Sequence, residues 1–318
     1  MSIKTGSGQS LKTTTASGLR NGVYGGIGVR PLGYEFPIGN RFLFAAGNTA
    51  LSSASPAVAV IVGTEPTENV VFQFTTSGTY TPNFTGDLEA LIVAGGGSGA
   101  PGFFGGSGGA GGLIYGNAVP VTNGTPYTIT VGAAGNNSSA FGAEAYRGGN
   151  GGSGTPEGGP PPGAPGGIGG SGGGGGAGDS GSGGGPARQQ TTGFPVASFS
   201  GFGNNGGGGG GGGFYCGGGG GGAGGPGNGG NPGPGVGGNG VIYSISGSPV
   251  AYAAGGTGGF HPGQPNARPG APIGGTAYNS SVTANRGSGG PGNAQSGASG
   301  IVVIRHLKTL GEDVFDIN

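Results

Sequence analysis

Short apolar runs are the main regular hydrophobic pattern along this chain. Three runs of six to eight residues are rich in β-branched, aromatic or aliphatic side chains and are bounded by Gly, Pro, Asn or Asp; they span residues 57–62, 69–76 and 88–94. Further strand candidates span residues 112–115, 126–131, 241–245 and 301–305. This pattern is typical of β-strands. Because no segment keeps a 3.6-residue apolar stripe, and Gly or Pro interrupts every candidate helix, we predict an all-β fold with little or no helix.

Glycine dominates the sequence between these runs. The 318-residue chain contains 94 glycines, and 80 of them lie in the 206 residues from Gly95 to Gly300. The sharp change in composition near Ala94 predicts a domain boundary. We therefore expect an extended N-terminal arm (1–30), an N-terminal β region (31–94), a glycine-rich lattice domain with loops (95–305) and a C-terminal tail (306–318).

Three structures could account for so much glycine: a flexible low-complexity tract, collagen, or an ordered lattice of extended strands. Collagen needs glycine strictly at every third position together with abundant proline. The unbroken runs Gly172–Gly176, Gly206–Gly213 and Gly217–Gly222, with only 24 prolines in the chain, exclude it. We expect the lattice, in which polyglycine II-like strands bond to one another.

Such a lattice has a demanding energy balance. Ordering glycine costs roughly 0.5–1 kcal/mol more per residue than ordering alanine. Side chains cannot offset that cost, so interstrand hydrogen bonds, each contributing about 0.5–1.5 kcal/mol, must be nearly complete. We therefore predict that the whole run Gly206–Gly213 is extended and lies inside the lattice.

Charge and hydropathy exclude several classes of protein. Only 7% of the residues are charged, and 11 basic residues balance 11 acidic ones, so the formal net charge is zero. A neutral chain lacks the electrostatic footprint of a nucleic-acid or anionic-membrane binder. No stretch approaches the roughly 18 consecutive apolar residues of a spanning helix. The polar N-terminus predicts no secretory signal.

Candidate catalytic and ligand motifs are sparse and incomplete. Residues 97–102 match G-x-G-x-x-G, but no helix start follows to face a phosphate. Residues 175–179 are one residue short of a calcium-binding β-helix repeat. Other candidates are a Glu157–Asp179 carboxylate pair, isolated histidines at 261 and 306, and the single cysteine Cys216. We expect a protein that is not an enzyme and that holds no cofactor or metal.

A resemblance to a known family rests on the order of several elements. The matching segments are residues 74–81 (FTTSGTYT), Leu91 to Gly97 (LIVAGGG), Gly108 to Tyr115 (GGAGGLIY), Tyr127 to Gly135 (YTITVGAAG) and Gly297 to Arg305 (GASGIVVIR). From Val70 to Arg305 the chain resembles the glycine-rich domain of virion proteins from tailed bacteriophages. That resemblance implies polyglycine II-like layers tipped by loops, in tail fibres and receptor-binding adhesins.

The resemblance leads us to expect a virion structural protein on the exterior surface of the particle, of tail-fibre or adhesin type. Other virion proteins would bind residues 1–94, the chain would form a homo-oligomer, and a host surface glycan or outer-membrane protein would be the receptor. Neither nucleic-acid binding nor membrane insertion is expected. Two alternatives remain open: a capsid-surface decoration protein anchored by its N-terminal arm, and an ice-binding polyglycine II bundle.

Aromatic residues within the glycine block are the most informative signal for a site. Either they cap open faces of the lattice, or they form exposed recognition tips, since aromatic rings supply large rigid contact areas. Three loops pair an aromatic residue with an arginine: Arg188 to Phe202, Phe260 to Pro272 and Tyr278 to Arg286. The candidate receptor-contact residues are Arg188, Phe194, Phe199, Phe202, Phe260, His261, Arg268, Tyr278 and Arg286.

Overall fold

The computed structural model describes residues 57–63, 67–156, 162–213, 215–260, 272–275, 277 and 280–308, with five further strands described through their backbone positions. No helix occurs in this part of the chain, and the strands pair antiparallel, so the prediction of an all-β fold is confirmed. The strands are β1 (Ser2–Lys4), β2 (Ser10–Lys12), β3 (Phe42–Ala45), β4 (Ser53–Ser55), β5 (Val58–Val62), β6 (Asn69–Phe74), β7 (Gly78–Thr81), β8 (Gly86–Val93), β9 (Leu113–Val121), β10 (Tyr127–Ile129), β11 (Ser138–Ala140), β12 (Ala143–Ala145), β13 (Ser200–Phe202), β14 (Val241–Tyr243), β15 (Val250–Tyr252), β16 (Ile301–Leu307) and β17 (Glu312–Phe315).

A six-stranded sheet in the order β13-β9-β8-β16-β6-β5 organises the described residues. A three-stranded sheet (β10-β7-β4) and the hairpins β11-β12 and β14-β15 accompany it, and β1 pairs with β2 and β3 with β17. Each strand predicted from the apolar runs is present. The strand at 112–115 is longer than predicted, because β9 continues to Val121 beside β8.

The six-stranded sheet buries both of its faces. Alternate residues of one strand point to opposite sides of a sheet. Phe72 belongs to one hydrophobic cluster and its neighbour Val71 to the other, and the same alternation separates Ile304 from Val303. The first cluster also contains Tyr80 and residues of the β11-β12 hairpin, whereas the second contains residues of and around the β14-β15 hairpin. The sheet therefore forms the central layer of the core.

The sheet takes its strands from both sides of the composition change at Ala94. Strands β5, β6 and β8 precede it, whereas β9, β13 and β16 follow it. The chain leaves β8 directly into glycine-rich sequence at Ala94 and returns through Gly300 into β16. The glycine block therefore lies between strands of one sheet, as a long insertion, and is not a separate domain that follows the sheet.

The glycine block forms a lattice in which backbone amides point in three directions in turn. Residues 106–112, here called the central strand, show this clearly. Every third amide donates to the same neighbouring strand. Gly106, Gly109 and Gly112 donate to the carbonyls of Gly152, Gly149 and Tyr146, respectively. Ser107 and Ala110 donate to a second strand, at Gly218 and Gly221, and Gly108 and Gly111 donate to a third, at Gly290 and Gly287. A period of three residues is that of a polyproline II-type helix, and here its amides bond to adjacent chains.

A second strand, residues 170–178, repeats the arrangement. Its amides bond in rotation to three surrounding segments. Ser171, Gly174 and Ala177 donate to Ala110, Ser107 and Phe104, and Gly172, Gly175 and Gly178 donate to Asn204, Gly207 and Gly210. Gly173 and Gly176 donate to Gly167 and Ala164, whereas Gly170, at the start of the strand, donates to Arg147 of a fourth segment. Donor–acceptor distances in this strand run from 2.6 to 3.2 Å. The extended polyglycine II-like strands expected from composition are therefore present and densely bonded.

Close approach of the backbones requires glycine at most lattice positions. A Cβ on Gly209 would lie closer than 3.0 Å to backbone atoms of Gly176, and a Cβ on Gly220 equally close to those of Gly108. The prediction for the run 206–213 is wrong at its end, however. Gly212 and Gly213 have φ values of +62° and +95° and form an exposed turn, since the chain must reverse there to begin the next lattice strand.

Candidate recognition surface

The lattice has two ends with different surroundings. At the near end its strands continue into β8, β9 and β16 of the six-stranded sheet. At the far end the strands reverse in turns that include residues 101–105, 178–181 and 211–213. These turns lie side by side, because Ala177 donates its amide to the carbonyl of Phe104 and Gly212 donates to that of Asp179.

Aromatic residues gather at the far end and, together with Asp179, form what we call the tip cluster. Its aromatic members are Phe103, Phe104, Tyr215 and Phe260. The rings of Phe104 and Tyr215 meet edge-to-face, with centroids 6.0 Å apart. The Tyr215 hydroxyl donates to Oδ1 of Asp179 at 2.9 Å. Phe103 is 46% exposed, whereas Tyr215 is buried. The cluster thus caps the lattice while presenting one ring to solvent.

Cys216 lies directly behind the tip cluster. It is buried and forms no disulfide. It forms an antiparallel bridge with Phe260, which joins two of the far-end strands. Burial raises the pKa of the Cys216 thiol, which keeps it protonated and unreactive at neutral pH.

The predicted recognition loop Arg188 to Phe202 lies at the near end, and its aromatic residues pack in or against the protein core. Phe199 is 3% exposed within the first hydrophobic cluster. Phe194 packs edge-to-face on it at 6.1 Å, and Phe202 packs on the second cluster from β13. The structure therefore buries Phe199 rather than exposing it at a tip and leaves Phe194 and Phe202 half-buried, because the pairing of β13 with β9 draws the loop onto the sheet.

Arg188 is the exposed member of that loop. Its Cζ lies 4.5 Å from the centroid of the Tyr146 ring, a cation–π arrangement. The neighbouring Arg147 is also exposed. Sequence inspection missed Tyr146 and Arg147, although the Tyr-Arg dipeptide immediately before a glycine run was the available signal.

The two remaining predicted loops are only partly within the described residues. His261, Arg268 and Tyr278 lie outside them. Phe260 is half-buried at the far end, in the tip cluster. Arg286 is half-buried near β15, and its carbonyl accepts a hydrogen bond from the amide of Ala253.

Comparison with known families adds one finding. A family model described as a glycine-rich domain matches residues 75–307. The chain belongs to this glycine-rich domain family. Comparisons with curated protein sequences and with solved structures give no significant match.

The limits of the glycine-rich domain coincide with strand ends. The match begins one residue after β6 and ends at the last residue of β16. β6 nevertheless pairs with β16 over six residues, from Asn69 opposite Leu307 to Phe74 opposite Val302. The domain therefore completes its sheet with strands that precede it in the chain.

The incomplete chemical motifs have structural roles in the glycine-rich domain. In the G-x-G-x-x-G segment, the amides of Gly97 and Gly99 donate to the carbonyls of Gly109 and Gln295, so they are committed to the lattice rather than open to a phosphate. Asp179 accepts from Tyr215, and its proposed partner Glu157 lies outside the described residues. His306 is buried against the rings of Phe72 and Phe84.

Two further findings concern metals and membranes. In the ranges that the structure describes, no group of three or more His, Cys, Asp or Glu side chains could hold a metal ion. Within the same ranges no helix is long and apolar enough to cross a membrane.

A polar cluster supports the sheet below the lattice. Arg305 donates to Glu89, whose carboxylate also accepts from the Tyr115 hydroxyl at 3.2 Å. The rings of Tyr115 and Tyr243 lie 4.5 Å apart. Burial, and then the nearby Tyr115, raises the pKa of Tyr243 to about 12. Burial and the Glu89 carboxylate raise the pKa of Tyr115, so both phenols stay neutral over the physiological range.

Proposed function

We propose that the protein is a bacteriophage virion structural protein, of tail-fibre or adhesin type, that displays its glycine-rich domain for attachment to the host surface. The observation that carries this proposal is the three-directional hydrogen-bond lattice. It is a scaffold whose rigidity comes from backbone bonds rather than from side chains, with turns and loops at its ends.

The lattice leaves its turn residues free to vary. Hydrogen bonds among glycine backbones do not depend on which side chains occupy the far-end turns, so those turns can differ in sequence while the scaffold stays unchanged. The tip cluster is one such surface, with an exposed phenylalanine beside half-buried rings. Aromatic residues are enriched where proteins contact partners.

Attachment would depend on several copies acting together. A small tip offers limited contact area, so each copy would bind its receptor weakly. Displaying many copies on one particle raises the effective concentration and the overall avidity. We therefore propose a homo-oligomer on the exterior of the virion, with residues 1–94 contacting other virion proteins and with a glycan or outer-membrane protein as receptor.

The test has two parts. An antibody against the glycine-rich domain, imaged on intact particles by electron microscopy, should label the tail end. The purified chain should reduce adsorption of particles to host cells, whereas the lattice-disrupting variant Gly220→Val should not. Label spread over the shell would favour the capsid-decoration alternative, and absence of label from particles would exclude a virion role.

A further inference from the structure

The backbones of two arginines of the glycine-rich domain bond to one peptide group, between Gly169 and Gly170, from its two sides at the near end of the lattice. The carbonyl of Arg147 accepts a hydrogen bond from the amide of Gly170 at 2.6 Å, and the amide of Arg188 donates to the carbonyl of Gly169 at 2.8 Å. Both arginines are exposed, and the lattice fixes both backbones. Charged residues are scarce in the glycine block, so two exposed arginines whose backbones bond to one peptide group are unusual for its composition.

The ring of Tyr146 supports one of these arginines. The Arg188 Cζ lies 4.5 Å from the ring centroid. The Tyr146 amide in turn donates to Oε1 of the buried Gln189 at 2.9 Å, which fixes the tyrosine backbone beside the loop that carries Arg188. The N–H donors of a guanidinium lie in its own plane. When one face of the group rests on an aromatic ring, these donors still point outward from its edge and can bind an oxyanion.

Neither guanidinium is bonded to a carboxylate among the described residues. Neither forms an ion pair or a side-chain hydrogen bond there. The carboxylate of Glu144, three residues before Arg147, instead accepts from Nδ2 of Asn137 at 2.9 Å, while Oδ1 of the same asparagine accepts from the Arg147 amide. The positive charge of the two arginines is therefore available to a ligand.

We propose that Arg147 and Arg188, supported by Tyr146, form a binding site for an oxyanion carried by a saccharide. Arginine forks match carboxylate and phosphate oxygens geometrically, and charge-assisted hydrogen bonds are the stronger kind. Ile168, the residue before Gly169, is 58% exposed and offers an apolar surface to the C–H face of a sugar ring. The saccharide part rests on the proposed function, since a host surface glycan would supply it.

The test uses the purified full-length chain and three probes: glucuronic acid, glucose 6-phosphate and, as the neutral control, glucose. Titrations followed by NMR or calorimetry should show binding of one or both anionic sugars and none of glucose. The anionic sugar that binds with the higher affinity identifies carboxylate or phosphate as the preferred group. The double variant Arg147→Gln/Arg188→Gln should weaken that binding at least about tenfold.

Two matched variants make the test specific. Arg188→Lys keeps the charge but loses the fork and the stacking, so its affinity should fall between those of the wild type and the double variant. Arg20→Gln removes an arginine outside the glycine-rich domain and should leave affinity unchanged. Equal binding of glucose and both anionic sugars, or unchanged affinity in a double variant with a wild-type circular dichroism spectrum, would overturn the proposal. This binding assay needs no particles, so its failure is distinct from failure of the virion role.

Discussion

Arg305 and Glu89 stand opposite each other on β16 and β8, and Nη2 of the arginine lies 2.6 Å from both carboxylate oxygens. The two residues are 216 positions apart in the chain. β8 leads into the lattice and β16 leaves it, so this pair joins the entry of the glycine block to its exit. Arg305 Nη1 also reaches the carbonyl of Ser244, which ties the β14-β15 hairpin to the same point.

Removing this pair should weaken the whole domain. Each side chain is only 25% exposed, so a lone charge left by one substitution would be poorly solvated. We expect Arg305→Met to lower the free energy of unfolding by about 1–2 kcal/mol, between the values typical of exposed and of buried pairs. Urea denaturation of the wild type and of the variant measures this difference in unfolding free energy.

A double-mutant cycle provides the control for that substitution. The double variant Glu89→Gln/Arg305→Met should lose less unfolding free energy than the two single variants together. Once one charge of the pair is gone, the other is already unpaired, so removing it costs little more. Strict additivity would mean that the two side chains do not interact in solution.

The lattice makes a sharp prediction about glycine. Gly220 is buried, and a Cβ there would overlap the backbone of Gly108, whereas a Cβ on Gly183 would meet no atom within 4 Å. We expect Gly220→Ala to destabilise the protein by more than about 3 kcal/mol, because backbone cannot move aside without breaking neighbouring bonds. Gly209→Val should have a similarly large effect. Melting temperature is the measurement.

Gly183→Ala is the matched control for these lattice substitutions. It should be neutral or stabilise the protein by up to about 1 kcal/mol, since alanine restricts the unfolded chain. An unchanged melting temperature for Gly220→Ala would show that the close-packed lattice does not exist at that position.

Much of the sheet could be predicted from the sequence, because its strands carry apolar side chains bounded by turn residues. The sequence predicts that a lattice of extended glycine strands forms, but not which strands lie next to each other in it. A run of glycines has no side chains to fix which strand pairs with which, so the register depends on isolated residues. Ser107 is one: its hydroxyl donates to the carbonyl of Gly256 at 2.6 Å and accepts from the amide of Gly220 at 2.7 Å, in the interior of the lattice.

The candidate site was harder to predict for the same reason. Arg188 and Tyr146 are 42 positions apart and meet only because the lattice brings Arg147 and Arg188 to one pair of glycines. Phe199 looked like a tip residue because its neighbours are polar and glycine-rich. Its burial follows from the pairing of β13 with a strand some 80 residues earlier, on which the local sequence carries no information.

The raised pKa of Tyr243 predicts a loss of stability at high pH. In the unfolded chain a tyrosine ionises near pH 10, whereas in the folded protein the pKa of Tyr243 is about 12. The neutral phenol therefore contributes stability that is complete below pH 10 and is lost as the pH rises through 12. After allowance for solvent screening of this half-buried ring, we expect a loss of about 1–2 kcal/mol.

Tyr243→Phe should flatten that pH dependence, because it removes the ionisable hydroxyl and retains the ring. Unfolding free energies of the two proteins, measured by denaturant titration between neutral pH and pH 12, give the comparison. Identical slopes would show that the phenol is as easily ionised in the folded state as in the unfolded one.

Deletion of the N-terminal arm should separate folding from assembly. In the structure β1 and β2, both within residues 1–30, pair with each other, and no strand of the six-stranded sheet comes from that segment. Apolar residues are sparse there, and ordering each residue costs roughly 1–2 kcal/mol of backbone entropy, so we expect a partner protein to hold this segment. A chain lacking residues 1–30 should therefore keep the melting temperature of the glycine-rich domain but be missing from particles when it replaces the full chain. Quantitative mass spectrometry of purified particles measures the copy number. Incorporation of the shortened chain at the normal copy number would contradict the prediction and would place the attachment surface in residues 31–94 or 306–318.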